Sequence, residues 1–261
     1  MKPDPSTQGK ITKMVFGAEA IEIKATIPDT HIEQTLARFN LTLNNDEERY
    51  IYFFDTPTLN LLKAGIIARA RRMVGEEHDS TVKFRPVVPE EISDKWRNSP
   101  GFKIEADASE KGIVKSASFT MPVKKGLIKD VVGGQKSIAK LFTKDQEDFL
   151  AEMANYPIDY SAIAILGPLK ANRWKFEDPA CPWKISAELW RREDGDRLME
   201  MSIKAPIVQA AAAIGGFMAF LAEVGAQHDT KQQTKTHWAL DYYATKIRGA
   251  KKVTQAEAPK K

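Results

Sequence analysis

The sequence predicts an α+β fold of mostly antiparallel strands with helices packed against them, on three observations. About eight segments read as strands, and six of them alternate apolar and polar residues at a period of two, the side-chain repeat of a strand. Segments with helical spacing fall between and after them. Two charged turns, GEEHD at 75–79 and EDGD at 193–196, join neighbouring strand-like runs as hairpins.

Residues 1–17 read as a leader, with no apolar stretch of the kind a signal peptide carries. AEAIEIKATI, 18–27, is the first strand. A helix follows through HIEQTLARF, with Asp29 or Thr30 as its N-cap. ERYIYFFDT is the second strand, broken by Pro57, and TPTLNLLKAG forms a short helix ending at Gly65 and capped by Asp55. IIARARRM, STVKFRPV and GFKIEADA supply strands three to five. The stretch 109–154 reads as helical and irregular, clearest in SIAKLFTKDQEDFLAEMA. Three more strands run through ILGPLKANRWKFE, WKISAELW and RLMEMSIKAP. An Ala/Gly-rich helix over 207–226 and a last helix, TKQQTKTHWALDYYATKI, complete the order.

The 261 residues, 43% hydrophobic and 28% charged, suffice for one large domain or two small ones and argue against wholesale disorder. Cys181, the one cysteine, excludes a disulfide framework and a cysteine-based zinc site, and a cytoplasmic location is expected. Of the net charge of +4, residues 246–261 carry six Lys or Arg against Glu257, leaving that tail at +5 and the body at −1. The tail is expected to be disordered, and nucleic acid is not the expected partner. The apolar run 207–226 is about long enough to span a bilayer but reads as a buried helix, because the rest of the chain has soluble character.

The strands carry charge on one face and apolar side chains on the other. Glu22 and Lys24 oppose Ile21, Ile23 and Ala25, and Arg69 and Arg71 oppose Ala68 and Ala70. Lys83 and Arg85 oppose Val82 and Phe84, and Lys103, Glu105 and Asp107 oppose Phe102, Ile104 and Ala106. Glu188 and Trp190 oppose Ala187 and Leu189, and Glu200, Ser202 and Lys204 oppose Met199, Met201 and Ile203. Two arrangements fit. The sheet is open with its ionic face in water, or it closes around that face. A closed ionic lumen calls for an anionic guest and for cations beside its carboxylates.

These residues resemble the CYTH superfamily, the triphosphate tunnel metalloenzymes, which include class IV adenylate cyclases, thiamine triphosphatases and inorganic triphosphatases. AIEIK resembles that family's first-strand Glu-x-Glu-x-Lys, with Ala20 in place of the first glutamate. YFFDTPTLNLLKAGIIARARR resembles its aromatic-x-Asp-Thr-Pro, short helix and Arg-x-Arg segment. TVKFRP resembles its Lys-x-Arg strand, KISAELWRREDGDRLMEMSIK its late hairpin, and QTKTHWAL its C-terminal lysine. The resemblance covers most of residues 18–243.

It implies an eight-stranded antiparallel β-tunnel with a charged lumen and helices outside. That would be one domain over 18–245 with a helical insertion at about 109–160. Lys24, Arg69, Arg71, Lys83, Arg85, Arg173, Lys204 and Lys235 would hold phosphate oxygens. Glu22, Glu105, Glu188 and Glu200 would serve Mg²⁺ or Mn²⁺, which prefer oxygen ligands. Glu22, Lys24 and Glu188 would be catalytic. The substrate would be a small phosphorylated molecule, attacked by a carboxylate-oriented water in hydrolysis or by a ribose hydroxyl in cyclisation. A homodimer is allowed.

Ala20 cannot bind metal, and Ser202 stands where a carboxylate is common in the family. Glu19 belongs to the opposite face, so either metal affinity is reduced or Glu105, Asp107 or another carboxylate compensates. Three readings follow: a metal-dependent triphosphatase, a class IV adenylate cyclase, and a polyphosphate- or nucleotide-binding module with weakened catalysis. His31, His78, His228 and His237 form no metal-spaced pair, GGQK at 133–136 lacks Walker spacing, and Trp96, Trp174, Trp183, Trp190 and Trp238 read as core or rim, with Trp190 the alternative candidate to flank a base.

Overall fold

A computed structural model describes residues 5–109, 111–154, 158–226 and 234–256. The helices are α1 (Pro5–Val15), α2 (Asp29–Arg38), α3 (Asn60–Lys63), α4 (Asp94–Arg97), α5 (Leu127–Val132), α6 (Lys144–Ala154), α7 (Ala210–Glu223) and α8 (Lys235–Ala256). The strands are β1 (Ala20–Ile27), β2 (Glu47–Asp55), β3 (Ile66–Met73), β4 (His78–Phe84), β5 (Phe102–Ser109), β6 (Gly112–Val123), β7 (Ala164–Asp178), β8 (Cys181–Arg191) and β9 (Arg197–Pro206). They hydrogen-bond in the order β1-β5-β6-β4-β3-β2-β7-β8-β9 and close into a barrel. Closure leaves no unpaired sheet edge.

This corrects the sequence expectation in two respects. Among the described residues there are nine strands, not eight. The additional one, β6, lies in the stretch read as helical and irregular. Its GIVKSASFTMPV interleaves small polar residues with Ala117 and Phe119, so the apolar alternation is faint, yet both of those side chains are buried. The helical part of the insertion begins only after Val123. The barrel is also not wholly antiparallel, since β1 pairs with β5 in parallel, Glu22 beside Asp107. The long connection between the two strands permits that sense, which no hairpin could.

Chain contacts divide into two units, each discontinuous in sequence. The first comprises residues 1–49, 84–119 and 170–232. In β1 the burial alternates residue by residue, with Ile21, Ile23, Ala25 and Ile27 buried and Glu22, Lys24 and Thr26 half-buried. The buried sides of β1, β8 and β9 form one cluster with Val15, Ile32, Ala213, Phe217 and Leu221 from helices α1, α2 and α7. Full burial of one such aliphatic side chain is worth about 2 kcal/mol. The glycines and alanines of α7 reflect close packing: a Cβ on Gly216 would lie 2.9 Å from the Trp183 ring. This helix ends at Glu223, and among the described residues no helix is long and apolar enough to cross a membrane. Leader residues 5–15 form α1, whose Val15 is fully buried. Pro28 takes the N-cap position of α2 with no side-chain cap bond, in place of Asp29 or Thr30.

The second unit comprises residues 50–83, 120–169 and 233–261. Asp55 caps α3 as expected. Its Oδ1 accepts from the Leu61 amide at 2.9 Å and its Oδ2 from the Leu62 amide at 2.9 Å. Burial nonetheless pushes its carboxyl above the usual range, against those bonds. Asp55→Ala is expected to cost about 1–2 kcal/mol, read as a lower urea midpoint at unchanged slope. Gln146 of α6, fully buried, donates to the Ser80 carbonyl and accepts from the Ser80 hydroxyl. The last helix continues through Ala256, into the stretch expected to be disordered. An apolar face at Trp238, Ala239, Leu240, Tyr243 and Ala244 is buried, and Tyr243 donates to the Pro168 carbonyl at 2.6 Å.

Candidate functional site

In the first unit, strand register places ionic residues side by side. β1 and β9 set Thr26 opposite Glu200, Lys24 opposite Ser202 and Glu22 opposite Lys204. β9 and β8 set Glu200 opposite Glu188 and Ser202 opposite Ser186. β8 and β7 set Glu188 opposite Arg173 and Ser186 opposite Lys175. One row therefore reads Thr26, Glu200, Glu188, Arg173, and the adjacent row Lys24, Ser202, Ser186, Lys175. Directly opposed side chains in such pairs have Cβ atoms about 5 Å apart.

Three local groupings result. Lys24 lies between two carboxylates, its Nζ 2.5 Å from Asp107 Oδ1 and 3.0 Å from Glu22 Oε2. Asp107 is 1% exposed and also accepts from the Ser116 hydroxyl at 3.0 Å. Burial alone pulls the Lys24 ammonium pKa down, but Glu22, Asp107 and Glu200 outweigh it and hold the pKa above its ordinary value. Glu188 is the centre of the second grouping, with Glu200 across the strand gap, Arg49 Nη1 3.8 Å away and the Trp190 indole donating to Oε2 at 3.2 Å. In the third, Glu47 receives Arg173 Nε at 3.0 Å, Lys175 Nζ at 3.2 Å and the Arg49 guanidinium. Burial raises the Glu47 pKa, yet Arg173, Lys175 and Arg49 outweigh it and hold the carboxyl below its ordinary range.

Of the expected metal residues, Glu188 and Glu200 are neighbours. Glu22 sits four strand residues from the Glu200 row, about 13 Å along β1, and is joined to it electrostatically through Lys24. Glu105 pairs with Lys204 and lies beside Ala20 in the parallel register. Glu19 is directed to the strand edge, where its Oε1 accepts from the Ile104 amide. Arg173 stands next to Glu188, and Arg85 is half-buried just beyond β4. In the second unit, Arg69 and Lys83 are half-buried on β3 and β4, and Lys235 is half-buried in the first turn of α8. Arg71 is gripped by Asp79 through two bonds of 2.9 and 2.5 Å. Trp190 is 1% exposed and braces Glu188, the core position favoured from the sequence, and it offers no face to a base. His228 lies outside the described residues.

Sequence reasoning missed Arg49, Glu47 and Lys175. Arg49 and Glu47 share the parity of Ile51 and Phe53 at the start of β2, where the apolar run hides them. Lys175 follows Arg173 by two residues and shares its face, a legible signal.

Whether a divalent cation suits this donor set can be judged from the carboxylates. Among the described residues, no three or more His, Cys, Asp or Glu gather as a metal cage. Two opposed carboxylates, Glu188 and Glu200, fit Mg²⁺ or Mn²⁺ nevertheless. Mg²⁺ characteristically takes one or two carboxylates and completes its shell with water and substrate phosphate.

No protein-family profile matches the chain. No curated protein matches it either. Solved structures do. A candidate adenylate cyclase from Bacillus halodurans superposes with a TM-score of 0.58 at 13% identity, over 84% of this chain and 97% of the other. A candidate adenylyl cyclase from Hippeastrum, reported to have a dominant triphosphatase activity, superposes with 0.59 at 16% identity, over 84% and 93%. At such low identity the likeness concerns the path of the backbone. With its closed barrel and these structural neighbours, the chain has the CYTH, or triphosphate tunnel, fold.

Proposed function

We propose that this protein hydrolyses a phosphoric anhydride in a small triphosphate-bearing molecule, with Mg²⁺ or Mn²⁺ as cofactor. The observation that carries the reading is the row Glu200, Glu188, Arg173, with Lys24 in the row beside it. It sets a carboxylate pair for a hard cation next to cations for phosphate oxygens. The Arg173 guanidinium can grip two oxygens at once, and the Lys24 ammonium acts as a point charge. Glu188 and Glu200 would hold the metal ion. When bound, that ion supplies Lewis-acid withdrawal of charge from a phosphoryl oxygen. Arg85 and Lys204, in the same unit, are further phosphate contacts in this proposal. Glu22, ion-paired with Lys24, is proposed to hold that ammonium toward the substrate. Basic side chains holding the phosphoryl group in line carry most of the catalysis in such transfers.

Trp190, buried against Glu188, favours recognition through phosphates over recognition through a base, and hence inorganic triphosphate over a nucleotide. Ala20 and the two-carboxylate donor set favour, as a second reading, a module that binds phosphate chains without turnover. Incubating the protein with inorganic triphosphate or ATP, each with and without Mg²⁺ or Mn²⁺, tests these readings. Metal-dependent orthophosphate release is expected. Cyclic AMP from ATP would replace hydrolysis by cyclisation, and binding without product would establish the second reading.

A further inference from the structure

Within this reading of the site, one carboxylate stands out because it faces too many cations. Glu47 receives Arg173, Lys175 and Arg49 together. A carboxylate has about four lone-pair positions, but three cations around its single negative charge leave an excess of positive charge. Three cations on one carboxylate match the oxygens of a phosphate group better than the two oxygens of a glutamate. Arg49 is 3% exposed and Arg173 is half-buried, so these positive groups are held in place whether or not a ligand is present. The backbone around Glu47 is pinned from both sides in sequence. Asp46 accepts from the Asn172 amide, and Glu48 meets Lys170 Nζ at 3.5 Å. Glu47 itself keeps a quarter of its side chain exposed, at 26%, leaving it room to turn aside.

We propose that Glu47 is an internal counter-anion. It occupies a phosphate subsite formed by Arg49, Arg173 and Lys175, and an arriving phosphate group displaces it. The carboxylate neutralises the cations while the site is empty. It thereby weakens binding by the free energy needed to break its contacts, and it discriminates against anions that cannot repay that loss. Orthophosphate, with one group, would bind poorly, and a chain of phosphates would bind well.

The experiment is calorimetric titration of wild-type protein, Glu47→Gln and Glu47→Asp with inorganic triphosphate and with orthophosphate, in chelator so that no metal contributes. Glu47→Gln keeps the shape and removes the charge. It is expected to bind triphosphate about tenfold to a hundredfold more tightly and to gain measurable orthophosphate binding. Its melting temperature without ligand should fall, and phosphate should raise it more than in the wild type. Glu47→Asp, shorter by one methylene, should show a smaller tightening, and it serves if the glutamine variant does not fold. Equal or weaker triphosphate binding by folded Glu47→Gln overturns the proposal and makes Glu47 a structural clamp. Failure of the functional reading looks different. Wild type would then bind no triphosphate; a gain of phosphate binding in Glu47→Gln would still uphold the subsite, and no gain would overturn both.

Discussion

Lys24→Met is expected to abolish triphosphate turnover and to cost about 3–5 kcal/mol of stability. The loss has two parts. Asp107, 1% exposed, would lose the ammonium 2.5 Å from its Oδ1, and Glu22 would face it across the parallel register. Removing one member of a buried ion pair strands the other, which costs far more than the pair contributes when intact. Urea denaturation reads this term, and phosphate release reads the other. Adding Asp107→Asn to Lys24→Met should recover much of the stability and none of the activity. An unchanged midpoint in Lys24→Met would mean that the two carboxylates do not depend on Lys24. The pH dependence has a definite sign. The Lys24 pKa is raised on folding, so its stabilisation is complete below the ordinary lysine value and fades only as pH climbs through the raised one. The difference between wild type and Lys24→Met should therefore stay level between pH about 6 and about 9.

Glu188→Gln is the second large effect, and stability and activity should move in opposite directions. Glu188 and Glu200 oppose one another across β8 and β9, a like-charge pair that costs up to about 1 kcal/mol in a sheet. Removing one charge should leave the metal-free protein as stable as before or slightly more so. The melting shift on adding Mg²⁺ or Mn²⁺ should then collapse, since stabilisation by a bound ion follows its affinity. Metal affinity should drop by about a hundredfold or more, at least the loss seen when a ligand's supporting partner is removed. Glu200→Gln should behave in the same way, whereas Glu105→Gln, whose carboxylate is held by Lys204, should keep the metal shift. Equal metal shifts in wild type and both glutamine variants would remove Glu188 and Glu200 from the metal site.

Much of the ionic pattern was legible because period two is a local property. The alternation in AIEIKATI, ISAELW and MEMSIK assigns Lys24, Glu188 and Glu200 to polar faces without knowledge of neighbours. The half-buried polar side of β1 agrees with that assignment. Asp55 was legible too, because a cap involves residues only a few positions apart. β6 was not, since Ser116, Ala117 and Ser118 have little strand character and take it from pairing with β5. Trp190 is buried, the core position favoured for the tryptophans; parity gave its face, and what covers it comes from the fold.

The sequence by itself determined which side of each strand is ionic and which residues bear charge there, since backbone pleating forces that separation locally. Only the tertiary structure decided which charges meet. It set Lys24 between Glu22 and Asp107, Glu188 against Glu200, and Glu47 among three cations. Those partners come from strands up to well over a hundred residues apart, and their register follows from packing of the opposite, apolar faces.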